Sequence, residues 1–369
     1  MNENKSATET NVLDMEQRKS LSEIIMKNSQ KTFKDLSSEY TYYDENGSGL
    51  HNQVIELNSL EVLLHDVITK NVFKGIDYYA IRGLTPVWLR DAGHSQEESI
   101  SKEKFDSMVE YNDNEITHRF LYYHDCEMVM SAFQNRTYVI DHMMNTIFKY
   151  LSPSVHPPIE YKELVISMCG SDVDLHTHIN SLIITLASSF DLITKVAYEL
   201  QHMSEVTFDK YPKMKSMHVT YGDKVRLSDD LKVSETLFSK TEPVCVRQVL
   251  SLRDEIVHNG SLDFHYNTYH GTIDDKIDHF IFFPEMTESG VLMSHKARRK
   301  FYSDCNKTFN VVLPQLVKEV IECLRLTLQL LIDKFDCPWH INPDELLNYK
   351  EEVAKWLKLR EMTNLVEHT

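Results

Sequence analysis

Glycine and proline are scarce, with ten of each in 369 residues. Both interrupt regular backbone, glycine by its excess conformational freedom and proline by its fixed φ and missing N–H. Their scarcity beside abundant Leu, Glu, Lys and Met therefore favours helix over sheet. No C-x-x-C pair occurs. The six cysteines, Cys126, Cys169, Cys245, Cys305, Cys323 and Cys337, are widely scattered and read as buried thiols in a reducing compartment. Positive charge is in deficit: 39 Lys and Arg stand against 56 Asp and Glu, a formal net charge of −17. Phosphate contacts need clustered cations, so this balance excludes a general nucleic-acid coat protein and leaves only local nucleic-acid contact. Uninterrupted apolar runs of membrane-span length are also missing. The longest apolar helical pattern, around 311–332, carries Lys318, Glu319, Glu322 and Arg325. The opening "MNENKSATETN" lacks the basic-then-apolar signature of a signal peptide. A soluble, cytoplasmic protein is expected.

What is present is helical periodicity. Residues 1–11 read as disordered, 12–40 as containing a short charged amphipathic helix, and 52–74 as a helix. "GLTPVWLRDAGHS" (83–95) reads as a loop anchored by Trp88. From about 115, Met130, Phe133, Thr137, Ile140, Met144, Ile147 and Leu151 recur at spacings of three and four, and "SPSVHPP" stops that helix. A second stripe, Leu182, Leu186, Phe190, Ile193, Ala197 and Leu200, lies in a helix of about 172–203. A third, Val246, Val249, Leu252 and Ile256, predicts a helix over about 242–258. The fourth helix, about 296–335, shows Leu313, Leu316, Val320, Leu324, Leu328, Leu331 and Phe335, with Pro314 starting a new segment or kinking it.

Such stripes must bury against one another, so the expected class is all-α: a helical bundle over 115–335, an N-terminal helical extension over 1–114 and a C-terminal helix over 336–369 packing on the bundle. Two long insertions interrupt the bundle. Residues 205–240 are polar and locally basic. Residues 259–294 are rich in aromatics and histidine, and "HFIFFPE" (279–285) suggests a short strand in a small β-hairpin. The last helix begins at "NPDELL", where Asn342 can cap and Pro343 suits the first helical position.

Chemistry concentrates in "SLRDEIVHNGS" (251–261). Arg253 and His258 form an R-x4-H pattern, Asp254 stands beside the arginine, and Asn259–Gly260 ends the helix. Five residues along a continuous helix separate side chains by about 140° and about 7.5 Å, so convergence requires the Asn-Gly pair to loosen the last turn and let His258 swing toward Arg253. Two similar patterns, Arg119 with His124 and Arg136 with His142, lie inside the first bundle helix without a nearby stop and read as decoys. "HKARRK" (295–300) adds Arg298 and Arg299 as candidate phosphate contacts, and Asn259 is a candidate substrate contact besides its role as helix stop. "DFHYNTYHG" (263–271) reads as packing over the bundle end, with base stacking as the alternative. His176 and His178, two apart on a helix, diverge and do not suggest a metal site, and "HDC" (124–126) reads as helix interior.

"LRDEIVHNG" at the end of a bundle helix whose predecessor carries "SSFDLITK" resembles the HEPN superfamily (higher eukaryote and prokaryote nucleotide-binding domains). The resemblance is sharp over 252–260 and extends in helix order over 115–335. It implies a commonly dimeric helical bundle, many of whose members are metal-independent endoribonucleases in toxin–antitoxin, CRISPR and anti-phage systems, while others only bind. It further implies Arg253 and His258 as a catalytic pair, Asp254 as their polar neighbour and Asp191 as a further polar residue near the site. The tyrosine that one subgroup carries two positions after the histidine is here Gly260, so that subgroup's regulation is not indicated. The expected function is RNA cleavage without metal or cofactor, on a target such as a tRNA loop, by a homodimer with an antitoxin or defence-system partner. A non-catalytic HEPN-like module that binds RNA, nucleotide or protein is the rival reading, and a helical scaffold without a site is the third.

Overall fold

The computed structural model describes residues 34–36, 39–41, 50–74, 85, 87–90, 99–151, 165–167, 170–260, 262–263, 265–273, 276–294, 303–338, 344, 347–352 and 354–355. Its elements run β1 (Lys34–Leu36), β2 (Glu39–Thr41), α1 (Leu50–Phe73), a single turn at Val87–Arg90, α2 (Lys102–Tyr111), α3 (Glu115–Tyr150), β3 (Val165–Ser167), α4 (Gly170–His202), α5 (Val244–Asn259), β4 (Thr268–Ile273), β5 (Lys276–Phe280), β6 (Phe282–Pro284), β7 (Ser303–Thr308) and α6 (Phe309–Phe335). The described protein is mostly helical, with only small antiparallel sheets.

The chain forms two compact units that interleave along the sequence. The first comprises Met1–Leu57, Arg136–Ser189 and Ser234–Leu324, and the second Asn58–Asn135, Phe190–Val233 and Arg325–Thr369. In the first, the expected stripes are buried: Ile140, Met144 and Ile147 of α3, Ile179, Leu182 and Leu186 of α4, Val246, Val249 and Leu252 of α5, and Leu313, Leu316 and Val320 of α6. This unit also holds β3, β4 and β5 in one sheet of that order, with Val165 opposite His270 and Tyr269 opposite Phe280, and the separate pair β6–β7. In the second unit, Phe73, Phe120, Tyr123, Phe133, Phe190, Leu328 and Leu331 are buried, and Phe73 makes ring contacts with Phe120 and Tyr123.

Several elements depart from the sequence reading. Of 12–40, only 34–36 and 39–40 are described, and these are extended, β1 pairing with β2 with Asp35 opposite Tyr40; the rest of the stretch in which a short helix is expected lies outside the described residues. The aromatic and β-branched content of "EYT" favours that pairing. Part of 83–95 is helical, as the turn Val87–Arg90, and the anchor it shows is Leu89, 2% exposed; the side chain of Trp88 lies outside the described residues. The fourth helix begins at Phe309 rather than near 296, because Ser303–Thr308 satisfies its backbone bonds as β7 against β6. Pro314 falls in the second turn of α6, where its missing N–H forfeits one early backbone bond without ending the helix. The polar insertion 205–240 is anchored by buried Val206, Phe208, Val219, Tyr221, Leu227 and Leu231, and its cation Lys215 pairs with Glu205. Helical backbone recurs at 344, 347–352 and 354–355; Asn342 and Pro343 lie outside the described residues.

Among the described helices, one stretch, Gly170–Glu205, is long and apolar enough to cross a bilayer, yet 61% of its apolar window is buried within the protein, as a core helix requires.

Candidate functional site

The site residues stand on α5. Val246, Val249 and Leu252 bury one stripe of this helix, which turns the intervening positions outward. The helix stays regular through Asn259, and the positive φ of 108° falls on Gly260, with ψ −129°. This corrects the expectation that the Asn-Gly pair loosens the final turn around His258. His258 keeps helical backbone, so it remains about 140° around the axis from Arg253. No hydrogen bond joins the two side chains among the described residues.

Asp254 occupies the position between them. The Arg253 Nη1 stands 3.2 Å from Asp254 Oδ1, with the two side chains 34% and 58% exposed. Asp254 and His258 are four residues apart, the spacing that places side chains on one helical face. His258 is exposed and makes no hydrogen bond or ion pair among the described residues. Asn259, a candidate substrate contact, instead donates from Nδ2 to Glu255 Oε2 at 2.9 Å, and Glu255 is itself buried. This bond ties Asn259 to its own helix.

The segment after β6 covers only the first half of α5. Met286 bridges Leu292, the Thr287 N–H donates to Val291 O, and the Leu292 N–H donates to Ser251 Oγ at 2.9 Å. The approach is close at Gly290, where φ is +83° and an added Cβ would stand 2.8 Å from the Val244 carbonyl oxygen and 2.9 Å from Gln248 Cγ. Arg253, Asp254 and His258 all lie on the C-terminal side of this cover, with Val257 between them 52% exposed. Among the described residues the insertion therefore fixes α5 without burying the end that carries Arg253, Asp254 and His258.

Three further candidates lie outside α5. Asp191 lies in the second unit, and its Oδ1 accepts the Tyr221 backbone N–H at 2.8 Å, which gives it a local structural task in anchoring the loop after α4. Arg298 and Arg299 lie outside the described residues. Of the decoys, Arg119 donates to the Val72 carbonyl at 2.6 Å and sits 4.2 Å above the Phe208 ring, a packing role. No group of three or more His, Cys, Asp or Glu side chains suited to a metal ion occurs among the described residues.

A buried polar network in the second unit was not legible as such. Tyr123 OH is 2.9 Å from His65 Nε2, His65 is 3.4 Å from Glu127, and His124 Nδ1 is 2.8 Å from the other oxygen of Glu127. Burial alone would raise the Glu127 carboxyl, but hydrogen bonds from His124 and His65 and their charges hold it well below the usual range. One turn away, the Tyr122 hydroxyl donates to Glu199 Oε2 at 2.5 Å while the Ser216 N–H donates to Glu199 Oε1 at 2.6 Å. Burial raises the Tyr122 phenol first of all, with the nearby Cys126 and Glu199 adding to it. "YYHDCE" (122–127) signals an unusually polar helix interior, but its partners His65, Glu199 and Ser216 are distant in sequence. A cavity in the first unit, lined in part by His176, Asn180, Asp263 and Tyr269, was likewise not foreseen.

Comparison of the chain with family models, curated proteins and solved structures gives no match.

Proposed function

We propose that this chain is a metal-independent endoribonuclease of HEPN type in which Arg253 and His258 act at the exposed end of α5. The observation that carries the reading is a half-buried guanidinium and an exposed imidazole on the uncovered half of one helix, with Asp254 paired to the arginine and about one turn before the histidine. Because one helix holds the pair apart, the site is completed across a twofold axis, where the arginine of one chain faces the histidine of the other. The His258 imidazole takes the proton from a ribose 2′-hydroxyl. The 2′-oxygen forms a bond to the adjacent phosphorus, the bond from phosphorus to the 5′-oxygen breaks, and the same imidazole, now protonated, returns the proton to that oxygen. The forked guanidinium takes the non-bridging oxygens as negative charge builds on them.

The net charge of −17 favours engagement of a local, unpaired segment such as a tRNA loop over bulk RNA. A role in bacterial defence or toxin–antitoxin growth control, with an antitoxin or defence-system partner, follows from the family resemblance of "LRDEIVHNG". The test is cleavage of a tRNA pool in EDTA. The wild-type chain is expected to cut, and Arg253→Ala and His258→Ala are expected to lose about 100-fold or more. Equal cutting by all three removes the reading. Binding by the wild type without cutting assigns the same surface to the rival, a non-catalytic binding module.

A further inference from the structure

The first unit contains a cavity of about 230 Å³ immediately beyond the end of α5. Its polar wall is made by His176 and Asn180 from α4 and by Asp263 and Asn267 from the segment that follows Gly260. Asn180, Asp263 and Asn267 are half-buried, so a ligand edge reaches them from solvent. The rest of the lining is largely apolar and aromatic, with Tyr269 and Phe282 in an edge-to-face contact at 4.5 Å between ring centroids.

The wall is a built arrangement. Asp263 Oδ1 accepts the His265 N–H at 2.9 Å and Oδ2 accepts the Asn267 N–H at 3.1 Å, which fixes the carboxylate. His176, 3% exposed, donates from Nε2 to the Asn267 carbonyl at 3.1 Å, so the segment is tied to α4 as well. Among the described residues neither lysine nor arginine lines the space, which disfavours phosphate, carboxylate and sulfate. A single carboxylate that accepts two backbone N–H groups is a weak counter-charge for an ammonium ion, whereas N–H donors are the groups a carboxylate accepts from. The volume falls below the roughly 300 Å³ at which pockets begin to suit drug-sized ligands, and so suits one planar ring system. Aromatic faces on one side and hydrogen-bonding groups on the other match how unpaired bases are held.

We infer that this cavity receives a single unpaired nucleobase bearing an exocyclic amino group, whose N–H donors meet Asp263 while its ring lies against Tyr269 and Phe282. The inference rests on the RNA reading for its polymer, and it gives the site a preference for adenine, guanine or cytosine over uracil next to the cleaved phosphate. The chain from His258 to Asp263 is only five residues long, so the base subsite and the helix end belong to one local surface of the first unit.

The experiment is calorimetric titration of the full chain with guanosine, adenosine, cytidine and uridine. At least one amino-bearing nucleoside is expected to bind about tenfold or more tightly than uridine, the scale of one polar pairing. Asp263→Asn is expected to erase that difference, and Asn180→Phe, which fills the cavity from a half-buried position, to abolish binding of all four with thermal unfolding unchanged. No binding at about 5 mM, where even interactions of only a few kcal/mol register, overturns the inference. So does uridine binding as tightly as the others, or unaltered binding by Asn180→Phe; should Asp263→Asn unfold, the wild-type titration and Asn180→Phe decide. Nucleoside binding without RNA cleavage leaves this subsite standing and removes the endoribonuclease, whereas cleavage without nucleoside binding does the reverse.

Discussion

Arg253 Nη1 meets Asp254 Oδ1 at 3.2 Å, and both residues stand on a helix that continues without a break past His258. The aspartate thus pairs with the guanidinium while the imidazole projects from another side of the helix, more than one turn further on. Both partners of the ion pair are substantially exposed, so its contribution to stability is small, about 0–1 kcal/mol. In the proposed site its role is orientation. Asp254→Asn is expected to leave the unfolding midpoint nearly unchanged in urea while lowering RNA cleavage at least about tenfold through a less well positioned guanidinium. A large loss of stability with cleavage intact would contradict this assignment.

If the site forms between chains, inactive variants should complement one another. Arg253→Ala lacks the guanidinium and His258→Ala lacks the imidazole, but a mixed dimer retains one composite site with a histidine from one chain and an arginine from the other. Mixing the two variants is expected to restore a measurable fraction of wild-type cleavage in EDTA. Persistently silent mixtures, with mixed dimers verified by mass spectrometry, would place both groups in a single chain.

Gly290 sets the approach of its turn to α5. Its φ of +83° disfavours any side chain, and a Cβ would stand 2.8 Å from the Val244 carbonyl oxygen, a backbone atom that cannot yield cheaply. Gly290→Ala is expected to cost about 1–3 kcal/mol in urea unfolding. Gly260→Ala meets no atom within 4 Å but retains the penalty of a φ of +108°, so its cost should be smaller.

His176 is held neutral chiefly by burial, which lowers its pKa, although its bond to the Asn267 carbonyl and nearby Asp263 and Asp172 act in the opposite direction. The folded state then takes up a proton less readily than the unfolded chain. Stability is complete above the unfolded value of about 6.5 and declines as pH falls below it. Urea midpoints measured from pH 7.5 to 5.5 should show this decline, and His176→Asn should flatten it.

Glu127 behaves with the opposite charge type. Its folded pKa is depressed by His124 and His65 despite burial, so its contribution is present above the unfolded value of about 4.3 and is lost as pH drops below that value toward the folded one. Glu127→Gln should be less stable than wild type at pH 6 by about 1–3 kcal/mol, since hydrogen bonds to a charged acceptor are weakened. The gap should narrow as the pH approaches 3.

The local lesson of α5 is instructive for the rest of the chain. Val246, Val249 and Leu252 identify the helix because periodicity is a property of neighbouring residues, and each of these side chains is buried. The ends are less legible. β7 occupies Ser303–Thr308 because β6 offers it backbone partners, a competition that no window of sequence contains. The same applies to Asp191: the resemblance implies a place near the site, and its carboxylate also accepts the Tyr221 N–H thirty residues onward, a partner that periodicity does not reveal.

The sequence by itself determined the helical class, the buried stripes of the long helices and the presence of Arg253, Asp254 and His258 on one segment, because spacing along a helix fixes which side chains share a face. Tertiary structure alone decided that α5 stays regular through Asn259, that the turn at Gly290 covers only its first half, and that His176 and Asn180 meet Asp263 and Tyr269 around one cavity. The physical reason is that cavities, covers and buried polar pairs arise where segments far apart in the chain exclude water together, and their energies depend on neighbours that linear order does not reveal.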